Sequence, residues 1–212
     1  ASTLDEVSAG RFVLALGAGW NPVEFAALGA PFDHRIARFE EAFTIVRSLL
    51  RDGSVDFVGR YCSAREAELV PRGPTPGGPP LMIGSIGPRM LAATAPHVDA
   101  WNAWFADTGN AATGVASAAS SLSAALAAAG RAPDEVARTV AVLVQLAGGT
   151  GRVQGDPSEL GRIAPLTGSP EQVADGLRAY ADAGVTEVQL VLDPITGPAI
   201  SSLGPVLALL DA

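Results

Sequence analysis

Short, continuously apolar runs recur along this chain, with segments of helical spacing between them. That alternation limits the fold more than any single motif does. Phe12-Val13-Leu14-Ala15-Leu16 lies between Gly10-Arg11 and Gly17-Ala18-Gly19. A run apolar on both sides reads as a strand buried on both faces, as in a parallel sheet. Residues 81–83, 98–101, 139–146 and 188–192 repeat the pattern. Between them, residues 33–51 keep Ile36, Phe39, Phe43, Val46 and Leu50 at helical spacing, with Asp33 to cap the start and Gly53 to close the end. Further helices are predicted over 88–96, 111–129, 170–183 and 199–210. The third of these carries the fullest signal: Ser169 as N-cap, Pro170 in the first turn, Gln172 completing a capping box, and a stripe of Val173, Leu177 and Tyr180. Weak alternation over 55–64 around Gly59-Arg60 predicts a small hairpin. The Pro- and Gly-rich residues 71–80 run straight into the next strand, so they read as a surface loop inside one domain. About five strands separated by helices predict an α/β fold with a parallel sheet; a doubly wound sheet and a (β/α)8 barrel both satisfy the pattern.

Composition sets outer bounds. With 212 residues and 48% of them hydrophobic, the chain can bury a sizeable core and is not disordered as a whole. All 14 bases are arginine against 22 acids, a formal charge of −8. No basic tract appears, which argues against nucleic acid and against an anionic membrane as partner. The single Cys62 excludes an intramolecular disulfide and fits a reducing, cytoplasmic compartment. No signal peptide is visible, and the alanine- and serine-rich residues 111–129 read as a helix in water rather than a membrane span. The chain begins without Met, and Ser2-Thr3-Leu4-Asp5-Glu6-Val7 resembles the tail of a helix, so the natural domain is expected to be longer.

Three places carry candidate chemistry. Gly17-Ala18-Gly19 follows a strand, but a dinucleotide-binding turn needs a third glycine where Pro22 stands, after bulky Trp20-Asn21. A tight turn, or the backbone approach of a flat ligand, remains. Gly84-Ser85-Ile86-Gly87-Pro88-Arg89 joins a buried strand to a helix. Such a helix start binds phosphate through backbone N–H groups, with Ser85 and Arg89 as added donors; a plain turn is the other reading. No Gly-Lys-Ser/Thr follows, which excludes a P-loop. Trp101-Asn102, with Trp104 and Phe105 beyond, either walls a pocket for a planar ligand or belongs to the core. His34 and His97 lack metal-ligand spacing, and Cys62 reads as a packed thiol. The adjacent pairs Asp5/Glu6 and Glu40/Glu41 are expected to face solvent. With no metal site and no nucleophile in view, a bound cofactor is expected to carry any chemistry.

These segments, taken in order, resemble the bacterial luciferase-like monooxygenases, whose members use FMN or coenzyme F420. Residues 10–21 resemble the family's fourth-strand signature. Arg38-Phe39-Glu40-Glu41, Gly59-Arg60-Tyr61, Pro79 to Gly84, Gly87 to Leu91 and Asp99 to Asn102 follow. Gly168 to Val173 and Ala183-Gly184-Val185 complete the series. The resemblance implies a (β/α)8 barrel with its cofactor at the C-terminal strand ends. It places the cofactor phosphate near Gly84, Ser85, Ile86, Gly87 and Arg89. Gly17, Ala18 and Gly19 would lie near the ring or ribityl part, and Trp101 and Asn102 on the same rim. It also implies an oxidoreductase acting on a small molecule by hydride transfer or oxygen activation. The chain matches strands four to eight of such a barrel; the first three βα units, about 100 residues, have no counterpart. No catalytic residue is assigned, because the family's acid–base groups belong to those units. Open strand edges at Phe12 and Val188 are expected, covered by an N-terminal segment or a second copy in a homodimer. The alternative is a non-catalytic flavin-binding or assembly fragment that pairs through those edges. A lid over residues 147–165 is a further expectation.

Overall fold

The computed structural model describes residues 1–151 and 163–211. The chain divides into two units, Ala1–Gly84 with Ala92–Asp99, and Ser85–Leu91 with Ala100–Ala212.

The first unit opens with α1 (Ser2–Val7), β1 (Leu14–Leu16), α2 (Pro22–Ala27) and α3 (Arg35–Arg51). The hairpin β2 (Ser54–Val58) and β3 (Ser63–Glu68) follows, then β4 (Leu81–Ile83). β1 runs parallel to β4 in the register Leu14↔Leu81, Ala15↔Met82, Leu16↔Ile83. Leu81 and Ile83 are fully buried, as a parallel strand should be. β1 departs from expectation: Leu14 and Leu16 are half-buried and Ala15 is exposed. The cause is topological, since β1 pairs with β4 alone among the described residues.

α3 buries Phe39, Phe43 and Leu50, with the two rings stacked at 5.6 Å. Its start differs from the predicted cap. His34 stands at the N-cap in the left-handed region (φ 52), while Asp33 instead binds Arg38 at 3.3 Å. α2 has no counterpart among the predicted helices, although Asn21 caps it (Val23 N–H to Oδ1, 3.0 Å) and Pro22 occupies its first turn.

Two of the acids predicted to face solvent instead hold backbone in place. Glu41 of α3 accepts the N–H groups of Arg60 (2.9 Å), Tyr61 (2.7 Å) and Cys62 (2.8 Å), so one carboxylate holds the whole hairpin tip. Gly59 is required at this tip, because a Cβ would strike the Glu41 carboxylate and stand 2.8 Å from Cys62 O. Burial works to raise the Glu41 carboxyl, but the three donors and the Arg38 guanidinium outweigh it and hold the group below its ordinary value. Asp5 is wholly buried and accepts the Thr75 N–H at 3.2 Å.

Residues 71–80 form a loop, as expected. Its prolines supply carbonyls but no N–H groups, and Arg51 answers them. Arg51 Nη1 donates to Gly77 O (2.6 Å) and Pro79 O (3.2 Å), and its Nη2 to Asp99 Oδ2 (2.8 Å). The same Asp99 oxygen accepts the Leu81 N–H at 2.7 Å.

The second unit holds β5 (Ala100–Ala103), β6 (Ala137–Gln145) and β7 (Glu187–Asp193), all parallel. Val140, Val142 and Val144 of β6 are fully buried. The helix α4 (Pro88–Thr94) leads out of the 84–87 turn. The single helix predicted over 111–129 is broken into a 3-10 turn (Ala112–Gly114), α5 (Val115–Ala118) and α6 (Ser120–Ala128). Ser120 and Ser123 bond back to Ser117 O and Ala119 O, the backbone competition that weakens serine-rich helices. α7 (Pro170–Asp182) keeps its predicted capping box, with Ser169 N–H on Gln172 Oε1 at 2.8 Å. The last predicted helix is two, α8 (Gly197–Ser201) and α9 (Gly204–Leu210), since Pro205 starts a new one. Among the described residues no helix is long and apolar enough to cross a membrane.

Two outcomes test these contacts. Ser169→Ala removes the cap of α7 and is expected to cost about 1 kcal/mol in urea unfolding. A carboxyl held low in the folded chain adds stability above its unfolded value, and loses it as pH falls through the folded value. Amide exchange at Arg60, Tyr61 and Cys62 is therefore expected to quicken over that acid window, and at neutral pH in Glu41→Gln.

Candidate functional site

In the first unit, the C-terminal end of β1 opens directly into Gly17. A Cβ at Gly17 would meet nothing within 4 Å, so the backbone there is open to approach. Gly19 differs. Its φ is +73, and a Cβ there would stand 2.8 Å from Cζ of the Phe25 ring. Both features demand glycine as the chain turns into α2. Ala18 is half-buried between them, and Gly84 ends β4 in an exposed position.

In the second unit, Ser85 is the centre of a short turn. Its carbonyl accepts Trp101 Nε1–H at 2.8 Å, and its Oγ accepts the Gly87 N–H at 3.2 Å. The Gly87 N–H is thus already bonded, and the donor left by this pair is the Ser85 hydroxyl proton. Ile86 and Arg89 are exposed on the same turn, and Gly87 O receives the Leu91 N–H that begins α4.

Trp101 is fully buried, so its indole forms no surface and supports the Ser85 carbonyl from within. Of the aromatics at the end of β5, Trp104 reaches solvent and lies 4.5 Å from the buried Phe105 ring. Asp107 Oδ2 accepts the Trp104 N–H at 3.0 Å and fixes that corner.

Asn102, half-buried on β5, joins a polar group that sequence reading does not find. Its Nδ2 donates to Thr139 Oγ1 of β6 (2.7 Å) and to Gln189 Oε1 of β7 (2.5 Å). Gln189 Nε2 in turn donates to Glu187 Oε1 at 2.7 Å. A signal is present all the same: Glu187 and Gln189 alternate with Val188, Leu190 and Leu192, which marks a polar strand face. Two further contacts secure the strand ends. Asn110 holds Leu143 N–H and O (2.8 and 2.9 Å), and Asp193 Oδ2 accepts the Gly151 N–H at 2.8 Å. Most of the expected lid, residues 152–162, lies outside the described residues.

The remaining candidates are peripheral. His34 is exposed and lies 5.5 Å from the Tyr61 ring, and Cys62 is half-buried at the hairpin tip. Among the described residues no cluster of His, Cys, Asp and Glu could hold a metal ion.

A family model described as luciferase-like monooxygenase matches residues 1–153. Over 93 residues the chain is 37% identical to 5,10-methylenetetrahydromethanopterin reductase of Archaeoglobus fulgidus, covering 44% of this chain and 27% of that protein. Over 104 residues it is 32% identical to a pyrimidine monooxygenase of Caulobacter vibrioides, covering 47% of this chain and 28% of that protein. These matches span less than a third of either relative's length. Among solved structures, the coenzyme F420 dependent tetrahydromethanopterin reductase of Methanopyrus kandleri superposes with a TM-score of 0.72 at 19% identity, over 97% of this chain and 75% of that one. EDTA monooxygenase of Chelativorans sp. BNC1 superposes with a TM-score of 0.77 at 16% identity, over 99% and 68%. At such identities the likeness carries the fold alone. That fold is the barrel type expected, with five parallel strands described where a closed (β/α)8 barrel has eight.

The Trp101 prop has a measurable consequence. Trp101→Phe deletes the bond to Ser85 and the pyrrole half of the indole, an expected loss of about 2 kcal/mol in urea unfolding. Trp101→Ala also leaves a cavity and is expected to cost about 3–5 kcal/mol.

Proposed function

Because the chain belongs to the luciferase-like monooxygenase family, we propose that it is the greater part of an oxidoreductase barrel that binds FMN or coenzyme F420 and acts on a small organic substrate. The observation that carries this reading is the Ser85 turn. It stands at the C-terminal end of β4, is held from inside by Trp101, and keeps Ile86 and Arg89 exposed. In barrels of this type that end of the strands carries the site. The names of similar proteins support both cofactors: F420 in the reductase of Methanopyrus kandleri, and FMN in a riboflavin lyase that superposes with a TM-score of 0.72.

The residues fit the group at its phosphate. A Cβ at Gly87 would come no nearer than 3.7 Å to Ser85 Oγ, so the turn has room. The Ser85 hydroxyl can donate and Arg89 can supply positive charge. The reading assigns Gly17, Ala18, Gly19 and Gly84 to backbone contact with the rest of the cofactor, and Asn102 to a polar contact. Trp101 acts through Ser85. When bound, the cofactor supplies hydride transfer or oxygen activation; the chain's own residues bind, orient and exclude water. No acid or base is assigned to this chain.

A second reading, an assembly fragment without catalysis, rests on β1. Leu14 and Leu16 bond to β4, which in a parallel ladder leaves the N–H and C=O of Ala15 on the other edge. Val13 and Trp20 beside it are exposed.

Titration with FMN and with F420, followed by cofactor fluorescence, separates the two. Saturable quenching by one of them is expected, and Gly84→Val should weaken it roughly ten- to a hundredfold by closing the approach to the phosphate donors. No quenching by either cofactor, together with a concentration-dependent mass in light scattering, would favour the second reading.

A further inference from the structure

The polar group around Asn102 has a direction, and its source is Glu187. The register pairs Asn102 with Thr139, Thr139 with Glu187 and Ala141 with Gln189. With a side-chain period of two, Asn102, Thr139, Glu187 and Gln189 therefore share one face of the three strands. An ionised carboxylate only accepts hydrogen bonds, whereas an amide has a donating and an accepting end. Glu187 Oε1 therefore takes the Nε2 end of Gln189, which turns Gln189 Oε1 towards Asn102. Asn102 must answer with Nδ2. Thr139, whose hydroxyl rotates to suit either polarity, accepts the second Nδ2 proton. Both bonds of the side chain leave from Nδ2, and neither uses Oδ1.

We propose that Glu187, acting through Gln189, is a positioning residue that makes Asn102 present its side-chain oxygen, so that the ligand group recognised at the end of β5 is an N–H or O–H donor. This rests on the reading that Asn102 meets the cofactor. Two parts of a flavin or deazaflavin carry such donors, the imide N–H of the ring and the hydroxyls of the ribityl chain. The polarity is set at a distance from the ligand contact, by a group that touches no ligand. Glu187 is exposed at the start of β7 and can be replaced without opening the core.

The orientation is testable without any ligand. Scalar coupling across the hydrogen bond, from Asn102 Nδ2 to the Gln189 side-chain carbonyl, is expected by NMR in the unmodified chain. Glu187→Lys replaces an acceptor by a donor, and so inverts the relay. The coupling should then run from Gln189 Nε2 to the Asn102 side-chain carbonyl, at an unchanged melting temperature. Glu187→Gln, which can still accept, should restore the original direction. An Asn102 amide without coupling to Gln189 in the unmodified chain, or a direction that Glu187→Lys leaves untouched, overturns the proposal. Should Glu187→Lys not fold, Glu187→Leu leaves Gln189 Nε2 without its acceptor, and the coupling from Asn102 Nδ2 to the Gln189 carbonyl should weaken; an undiminished coupling overturns the proposal. The ligand arm uses FMN and its imide-methylated analogue. Glu187→Lys should weaken FMN roughly three- to tenfold. If methylation costs the same in the unmodified chain and nothing further in Glu187→Lys, the donor is the imide; equal losses for both ligands point to the ribityl hydroxyls. Unchanged FMN affinity in Glu187→Lys with an inverted relay overturns the donor assignment. Failure of FMN and F420 alike to bind the unmodified chain instead defeats the cofactor reading, and leaves the NMR result to decide the relay.

Discussion

Arg51 is the constraint on which the first unit depends. A proline-rich loop leading into a strand has more carbonyls than donors, and buried carbonyls without partners are costly. One guanidinium supplies donors to the loop and to Asp99, and Asp99 passes the constraint on to the first N–H of β4. The ion pair itself is partly exposed and of small electrostatic worth. Its value is geometric. It sets where β4 begins, three residues before Gly84, and a strand that begins in a fixed place ends in a fixed place. Lysine, a single point donor, would not span the loop carbonyls and the carboxylate together.

Much of this architecture is legible in the residues. β4, the hairpin, the loop at 71–80 and α7 stand where periodicity and caps put them, because each signal is local. What is not legible depends on neighbours. Burial of β1 cannot be read from its apolar run, since that requires a strand on each side. Asp5 and Glu41 look like solvent-facing charges, because nothing nearby in sequence shows that backbone N–H groups 20 and 70 residues away will meet them. The Asn21-Pro22 start of α2 escapes notice for the opposite reason. It is a local signal, hidden by its place in a failed dinucleotide turn.

The candidate site divides in the same way. Glycines at strand ends and the Ser85 turn follow from local pattern. The role of Trp101 does not, because a tryptophan at a strand end serves equally as a wall or as a prop, and only its full burial decides. The amide group around Asn102 needs the register of three strands. Polar side chains on a sheet face polarise and orient one another, which is how one acid at the start of β7 can govern an amide two strands away.

The edge of β1 bears on how the chain behaves in bulk. Leu14, Ala15 and Leu16 include no charge and no proline, so the strand lacks the usual guards against pairing with a second edge. A net charge of −8 keeps copies apart at long range. That repulsion is screened within about 8 Å at physiological ionic strength, whereas backbone pairing is not. Salt therefore weakens the long-range repulsion between copies while leaving the backbone groups of such an edge as able to pair as before.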